Sequence, residues 1–206
     1  GDVYKRQIEL DGPEAPILDG SAKPYVDKIS EVGLAEQSAK ARVYKVQRKI
    51  EVSDEASGAR LTLLPDDTFA VDALISYDSP ILTHQYASYE IGDDFVGEIA
   101  PARTFVFVRE VQALVANNLI KGGDLDNALV IYDRQLAQAD LDKLSDELGV
   151  DHSDATTLGY ISHRPLAYPN EPARHKLLDV LGDLALAGCR IMGCLLYTSD
   201  AADDSL

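Results

Sequence analysis

The segment NEPARHKLLDVLGDLALAG, residues 170–188, spaces His175, Asp179 and Asp183 at i, i+4 and i+8. On a helix these three share one face. An imidazole and a carboxylate one turn apart can both reach a single cation. A borderline-soft ion such as Zn²⁺ accepts nitrogen and carboxylate oxygen at about 2.0–2.2 Å. The carboxylate one turn further on, Asp183, can orient a neighbouring group. The same His–Asp spacing also suits a plain surface hydrogen bond, worth a few tenths of a kcal/mol. Spacing alone leaves both readings open. Catalytic zinc commonly takes three protein ligands and one open position, and the helix offers two. The other imidazoles, His84, His152 and His163, sit in polar or loop contexts and read as solvated side chains.

The helix that must hold this face is well marked. Leu177, Val180, Leu181 and Leu184 form its apolar stripe. Asn170 or Glu171 stands at the cap, Pro172 near the first turn and Gly188 just past the end, which predicts a helix from Pro172 to Ala187. Upstream, Ser21 can cap a helix from Ala22 to Val32 that Gly33 stops. The polar stretch 34–42 reads as a linker, with a domain boundary near residue 40. Strands are expected at Val43–Val52, at Ala59–Leu64 as its hairpin partner, at 69–75 by period-two alternation, and at Gln85–Glu90. Thr104–Val108 reads as a buried strand end or loop, and Val108–Ala116 as a helix. KGGDLDN at 121–127 reads as a Gly-rich turn, Ala128–Tyr132 as an apolar strand, Asp140–Leu148 as a short helix and 151–170 as a long loop.

Composition narrows the function classes. The chain has 206 residues, 46% of them hydrophobic, with a mean hydropathy of −0.12, which suits a globular protein rather than a disordered one. Thirty-five acidic residues against 19 basic ones give a formal charge of −16. That charge repels phosphate backbones and argues against non-specific nucleic-acid binding. No apolar run approaches the roughly 18 residues of a membrane span. Cys189 and Cys194 are too few for a disulfide scaffold, so a reducing cytoplasm is the expected compartment. The head GDVYKRQ (1–7) and the tail CLLYTSDAADDSL (194–206) resemble translated sequencing-adapter read-through. Both are expected to be non-native, and the fold is assigned without them.

Three ordered segments carry a family resemblance: DGPEAPILDGSAKPYV at 11–26, ARTFVFVREVQALVANNLIKGGDLDNALVI at 102–131, and RHKLLD at 174–179. Together they resemble the UDP-3-O-acyl-N-acetylglucosamine deacetylases of lipid A synthesis. The TFVFV and NEPARHK wording is similar to the Bacteroidetes-type version, often fused to a 3-hydroxyacyl-carrier-protein dehydratase. The resemblance implies an α+β fold of two domains, each a β-sheet layered with a pair of helices, with the active site between them. Residues 8–40 would be the end of the first domain and 41–193 most of the second.

The activity implied is zinc-dependent removal of the N-acetyl group from a UDP-glucosamine substrate. The zinc is held by two His and one Asp. His175 and Asp179 match the second His and the Asp. The first His, the neighbouring Glu base and the general-acid His match segments outside residues 8–193, so the chain by itself is expected to be inactive. Thr104 matches the Thr that stabilises the oxyanion, Phe105 a residue near the acyl chain, and Lys176 a Lys near the sugar-phosphate portion. Asp183 matches the Asp that orients the general acid, and Gly122 and Gly123 are expected to line the same cleft. The sequence departs from the family most at GYISHRPLAY, 159–168, where Tyr168 replaces the usual Phe. The contrasting expectation is a non-catalytic α+β interaction module in which the HxxxD pair is incidental.

Overall fold

A computed structural model of the chain describes residue 9 and residues 11–36, 38–111 and 127–201. The fold is α+β. Its strands are β1 (Val43–Lys45), β2 (Ile50–Ser53), β3 (Arg60–Leu64), β4 (Phe69–Tyr77), β5 (His84–Glu90), β6 (Phe105–Phe107), β7 (Leu129–Tyr132), β8 (Gly159–Ile161) and β9 (Arg190–Ala201). The helices are α1 (Lys23–Val32), α2 (Phe95–Glu98), α3 (Gln138–Leu148) and α4 (Glu171–Ala185). The larger sheet runs β2-β3-β9-β4-β5, with β1 added to β9; the smaller runs β6-β7-β8.

Alternation in β4 drives the main core. Val71, Ala73, Ile75 and Tyr77 point inward and meet Ala173, Leu177 and Val180 of α4. This helix therefore lies on the β4–β5 part of the sheet, and its apolar stripe faces as the spacing predicts. All four residues of β7 are buried, which follows from cover on both faces. Ile131 joins the main core with Phe107. Val130 and Tyr132 join a second core under Leu141, Leu144 and Leu148 of α3. The small sheet is thus the partition between two cores.

Several expected elements differ. Val43–Val52 is two strands, because β1 pairs in parallel with β9 while β2 pairs antiparallel with β3. The chain must leave one partner before it reaches the other. Val46 marks the crossing: it is buried, its N–H donates to the Met192 carbonyl, and its Cγ2 would lie 2.6 Å from a Cβ on Gly193. The 151–170 loop contains β8, which is antiparallel to β7. Helix α1 starts at Lys23, with Ala22 as its cap residue, and the Ser21 hydroxyl accepts the Lys23 N–H at 3.2 Å. Of the helix expected at 108–116, residues 108–111 are helical and the remainder lies outside the described residues. So does the turn at 121–126.

Cys194–Thr198 pair with β3, and β9 continues beside β4 to Ala201. Leu195 is buried among the β4 side chains, and this alternation gives the segment its place in the sheet.

Candidate active site

Helix α4 places His175, Lys176, Asp179 and Asp183 away from its Leu177–Val180 core face. Lys176, Asp179 and Asp183 line an open cleft of about 620 Å³, closed on another side by Tyr197 of β9. His175 borders the same face, with 13% of its side chain exposed against 46% for Asp179.

The imidazole is held by a backbone group. His175 Nδ1 lies 2.9 Å from the Ala102 carbonyl oxygen. A carbonyl only accepts, so Nδ1 carries the proton, and the Nε2 lone pair is left for another partner. Nε2 lies 3.5 Å from Asp179 Oδ1. Two electron-rich atoms at that separation need a positive centre between them, either a proton or a metal ion. Lys176 Nζ, 3.7 Å from the other carboxylate oxygen of Asp179, adds positive charge beside the pair but not between its atoms. Nitrogen and carboxylate oxygen turned toward one gap form a zinc-type donor set. It is a partial one: among the described residues no group of three His, Cys, Asp or Glu could hold a metal ion.

The segment before β6 carries the other candidates. Thr104 donates its N–H to Gly20 O at 2.8 Å and accepts from the Leu129 N–H at 2.7 Å. It is fixed two residues from the carbonyl that holds His175. Gly20, at φ 78°, approaches so closely that a Cβ there would sit 1.9 Å from Asn127 O. Only glycine permits this contact between the N-terminal segment and the 104–127 region. Phe105 turns to the core instead: its ring packs edge-on to Tyr77 at 5.8 Å and Phe107 at 6.3 Å. Gly122 and Gly123 lie outside the described residues. The structure therefore brings four α4 residues together, links Thr104 to them through Ala102, and sets Phe105 apart.

Two charged residues escaped the sequence reading. Glu171 is fully buried and Arg103 is 4% exposed, with Arg103 Nε 2.8 Å from Glu171 Oε1. They are 68 residues apart, so no local pattern announces the pair. Tyr168 is also informative. Its hydroxyl donates to Gly97 O at the end of α2. Arg174 stacks on the Tyr168 ring at 4.4 Å and donates to Glu98 O at 2.7 Å. Burial holds the Tyr168 phenol above its ordinary pKa, so it remains a donor.

A family model, UDP-3-O-acyl N-acetylglycosamine deacetylase, matches residues 2–153 and 154–201. The chain belongs to this family. Among curated relatives, the "Bifunctional enzyme LpxC/FabZ" of Porphyromonas gingivalis is 59% identical over 191 residues, 93% of this chain and 41% of that protein. The protein of the same name from Bacteroides thetaiotaomicron is 54% identical over the same shares. The "UDP-3-O-acyl-N-acetylglucosamine deacetylase" of an Anaeromyxobacter species is 39% identical, over 92% of this chain and 54% of that protein. The chain thus spans about half the length of the deacetylase relatives and less of the bifunctional ones. The resemblance carried by the three quoted segments holds. No helix among the described residues is long and apolar enough to cross a membrane.

Proposed function

We propose that this chain is part of a zinc-dependent amide hydrolase that removes the N-acetyl group from UDP-3-O-acyl-N-acetylglucosamine in lipid A biosynthesis. The observation that supports it most is His175 Nε2 turned toward Asp179 Oδ1 at 3.5 Å, with Nδ1 hydrogen-bonded to the Ala102 carbonyl. An acetamide is a poor electrophile with a poor leaving group. Zinc, when bound, supplies the Lewis acidity that polarises such a carbonyl and acidifies water. His175 and Asp179 are its proposed ligands here.

The remaining roles belong to the chain's own side chains. The Thr104 hydroxyl donates to the oxyanion as the carbonyl becomes tetrahedral. Asp183 holds a proton donor oriented toward the departing amine. Lys176 meets the anionic sugar-phosphate end of the substrate. In this reading residues 8–40 end a first domain, and the segment from residue 41 belongs to a second. The likeness to bifunctional relatives supports extending the proposal to a dehydratase joined to the same protein. Two cysteines, both unbonded, suit a cytoplasmic setting.

The test is a chimera in which this chain replaces the matching segment of the Porphyromonas gingivalis protein. It is expected to bind zinc and deacetylate, and His175→Ala in the chimera is expected to remove both properties together. A folded chimera whose zinc content and turnover ignore His175→Ala would overturn the proposal in favour of a non-catalytic module.

A further inference from the structure

The Arg103–Glu171 pair reaches the His175 imidazole through one peptide group. The peptide bond between Ala102 and Arg103 has two polar atoms, and α4 holds both. Its N–H, on Arg103, donates to Glu171 Oε1 at 3.0 Å. Its carbonyl, on Ala102, accepts from His175 Nδ1 at 2.9 Å. Glu171 and His175 are one helical turn apart, so the peptide plane is pinned at two points along the helix.

Every other bond of the pair tightens this arrangement. Glu171 Oε1 also accepts from Arg103 Nε at 2.8 Å. Its Oε2 accepts from Arg103 Nη2 at 3.2 Å and from the Ala167 N–H at 2.6 Å. Arg103 makes two further bonds, Nη1 to Ser162 Oγ at 3.3 Å and Nη2 to Pro165 O at 2.7 Å. The carboxylate thus accepts four hydrogen bonds and cannot rotate without breaking some of them. A buried ion pair is weak evidence for stability, because apolar residues of similar volume often serve as well. Orientation of a neighbouring group is a more specific use.

We infer that Arg103 and Glu171 are positioning residues: they fix the Ala102–Arg103 peptide plane so that its carbonyl keeps the His175 proton on Nδ1 and its Nε2 lone pair facing Asp179. The same clamp holds Thr104, one residue further on, in register with α4. The inference deepens the proposed function and rests on it for the identity of the ion. The tautomer itself does not depend on that reading.

The experiment uses the full chain, metal-free, with its four histidines labelled with ¹⁵N. Spectra are taken at a pH where imidazoles are neutral, and the His175 signals are assigned by their loss in His175→Gln. The wild-type chain is expected to show His175 protonated at Nδ1 and bare at Nε2. Glu171→Gln keeps the side chain's shape but sets an amide donor against the Arg103 or Ala167 donors. It is expected to give mixed tautomers. Half-saturation of the His175 shift by zinc alone is expected to need about 10–100 times more metal. The double variant Arg103→Met/Glu171→Met removes both charges together and guards against simple misfolding. It is expected to fold, and still to lose the single tautomer.

A folded variant of either kind that keeps the Nδ1–H tautomer and the wild-type zinc response would show that the pair serves stability alone. A wild-type chain with the Nδ1–H tautomer whose chimera with the Porphyromonas gingivalis protein binds no zinc would instead defeat the proposed function and leave the clamp intact.

Discussion

Gly20 and Gly149 provide a controlled measurement of how tightly the N-terminal segment meets the region around Thr104. Both have positive φ, at 78° and 69°. Their surroundings differ. A Cβ on Gly20 would lie 1.9 Å from Asn127 O and 3.3 Å from Thr104 Cγ2, whereas a Cβ on Gly149 would have nothing within 4 Å. Alanine at either site incurs left-handed strain of about 1–2 kcal/mol, offset by about 0.4–1 kcal/mol from a less free unfolded chain. Gly149→Ala should therefore cost about 1 kcal/mol. Gly20→Ala adds overpacking of about 1–3 kcal/mol. It also loosens the bond from Thr104 N–H to Gly20 O, worth about 0.5–1.5 kcal/mol. Its total is about 3–5 kcal/mol. For a chain of this size 1 kcal/mol moves Tm by roughly 2–4 °C, so the drops should be about 3 °C for Gly149→Ala and about 6–20 °C for Gly20→Ala. Thermal unfolding followed by circular dichroism reads both. Equal losses in the two variants would refute the close approach, and with it the anchoring of Thr104 by the N-terminal segment.

Two further outcomes are expected. Tyr132, in the second core, donates its hydroxyl to Ala155 O at 2.8 Å and accepts from the Leu136 N–H at 2.9 Å. Tyr132→Phe leaves the buried Ala155 carbonyl and the half-buried Leu136 N–H unpaired and should cost about 1–3 kcal/mol in urea unfolding, with an unchanged m-value; a loss below a few tenths would contradict those bonds. The His152 pKa is raised above its ordinary value by its hydrogen bond to Asp146, aided by the charges of Asp142, Asp146 and Asp151. The folded state binds that proton more tightly, so the stabilisation is complete below about pH 6.5 and fades as pH rises through the folded-state value. Because His152 is exposed, the effect should be small and weaken in salt. An NMR titration of Asp146→Asn should show the midpoint falling toward the ordinary value, and an unmoved midpoint would contradict the assigned cause.

What could be read in advance depended on range. Helix α4 is legible because Pro172, the leucine stripe and Gly188 all lie within one segment and agree. β4 is legible because Val71, Ala73 and Ile75 alternate over a stretch long enough to establish a period. The His175–Asp179 juxtaposition is a consequence of helical pitch and needs no tertiary information. The Ala102 contact that selects the His175 tautomer comes from 73 residues away, and nothing near His175 in sequence encodes it. The Arg103–Glu171 pair is hidden for the same reason, and Glu171 offered only the look of a helix-capping acid. β1 and β2 read as one strand because a chain that changes partners keeps its alternation while doing so. β8 has three residues, too few to show any period. The segment after Gly193 gives no local sign of β9, because its partners β3 and β4 lie more than 100 residues earlier in the chain.

The position of β9 bears on how the polypeptide is made. β3 and β4 follow one another in sequence, yet they lie on opposite sides of β9, which pairs with both. Val71 waits for Leu195, about 120 residues later. At about 5–20 residues per second, a ribosome needs roughly 6–25 s to deliver that strand. The β2–β3 and β4–β5 hairpins can close early, since their partners are local. Between them remains an open slot with bare amide and carbonyl edges. A nascent chain in that interval is a natural client for chaperones, and slowing synthesis downstream of β5 should lengthen its exposure in proportion.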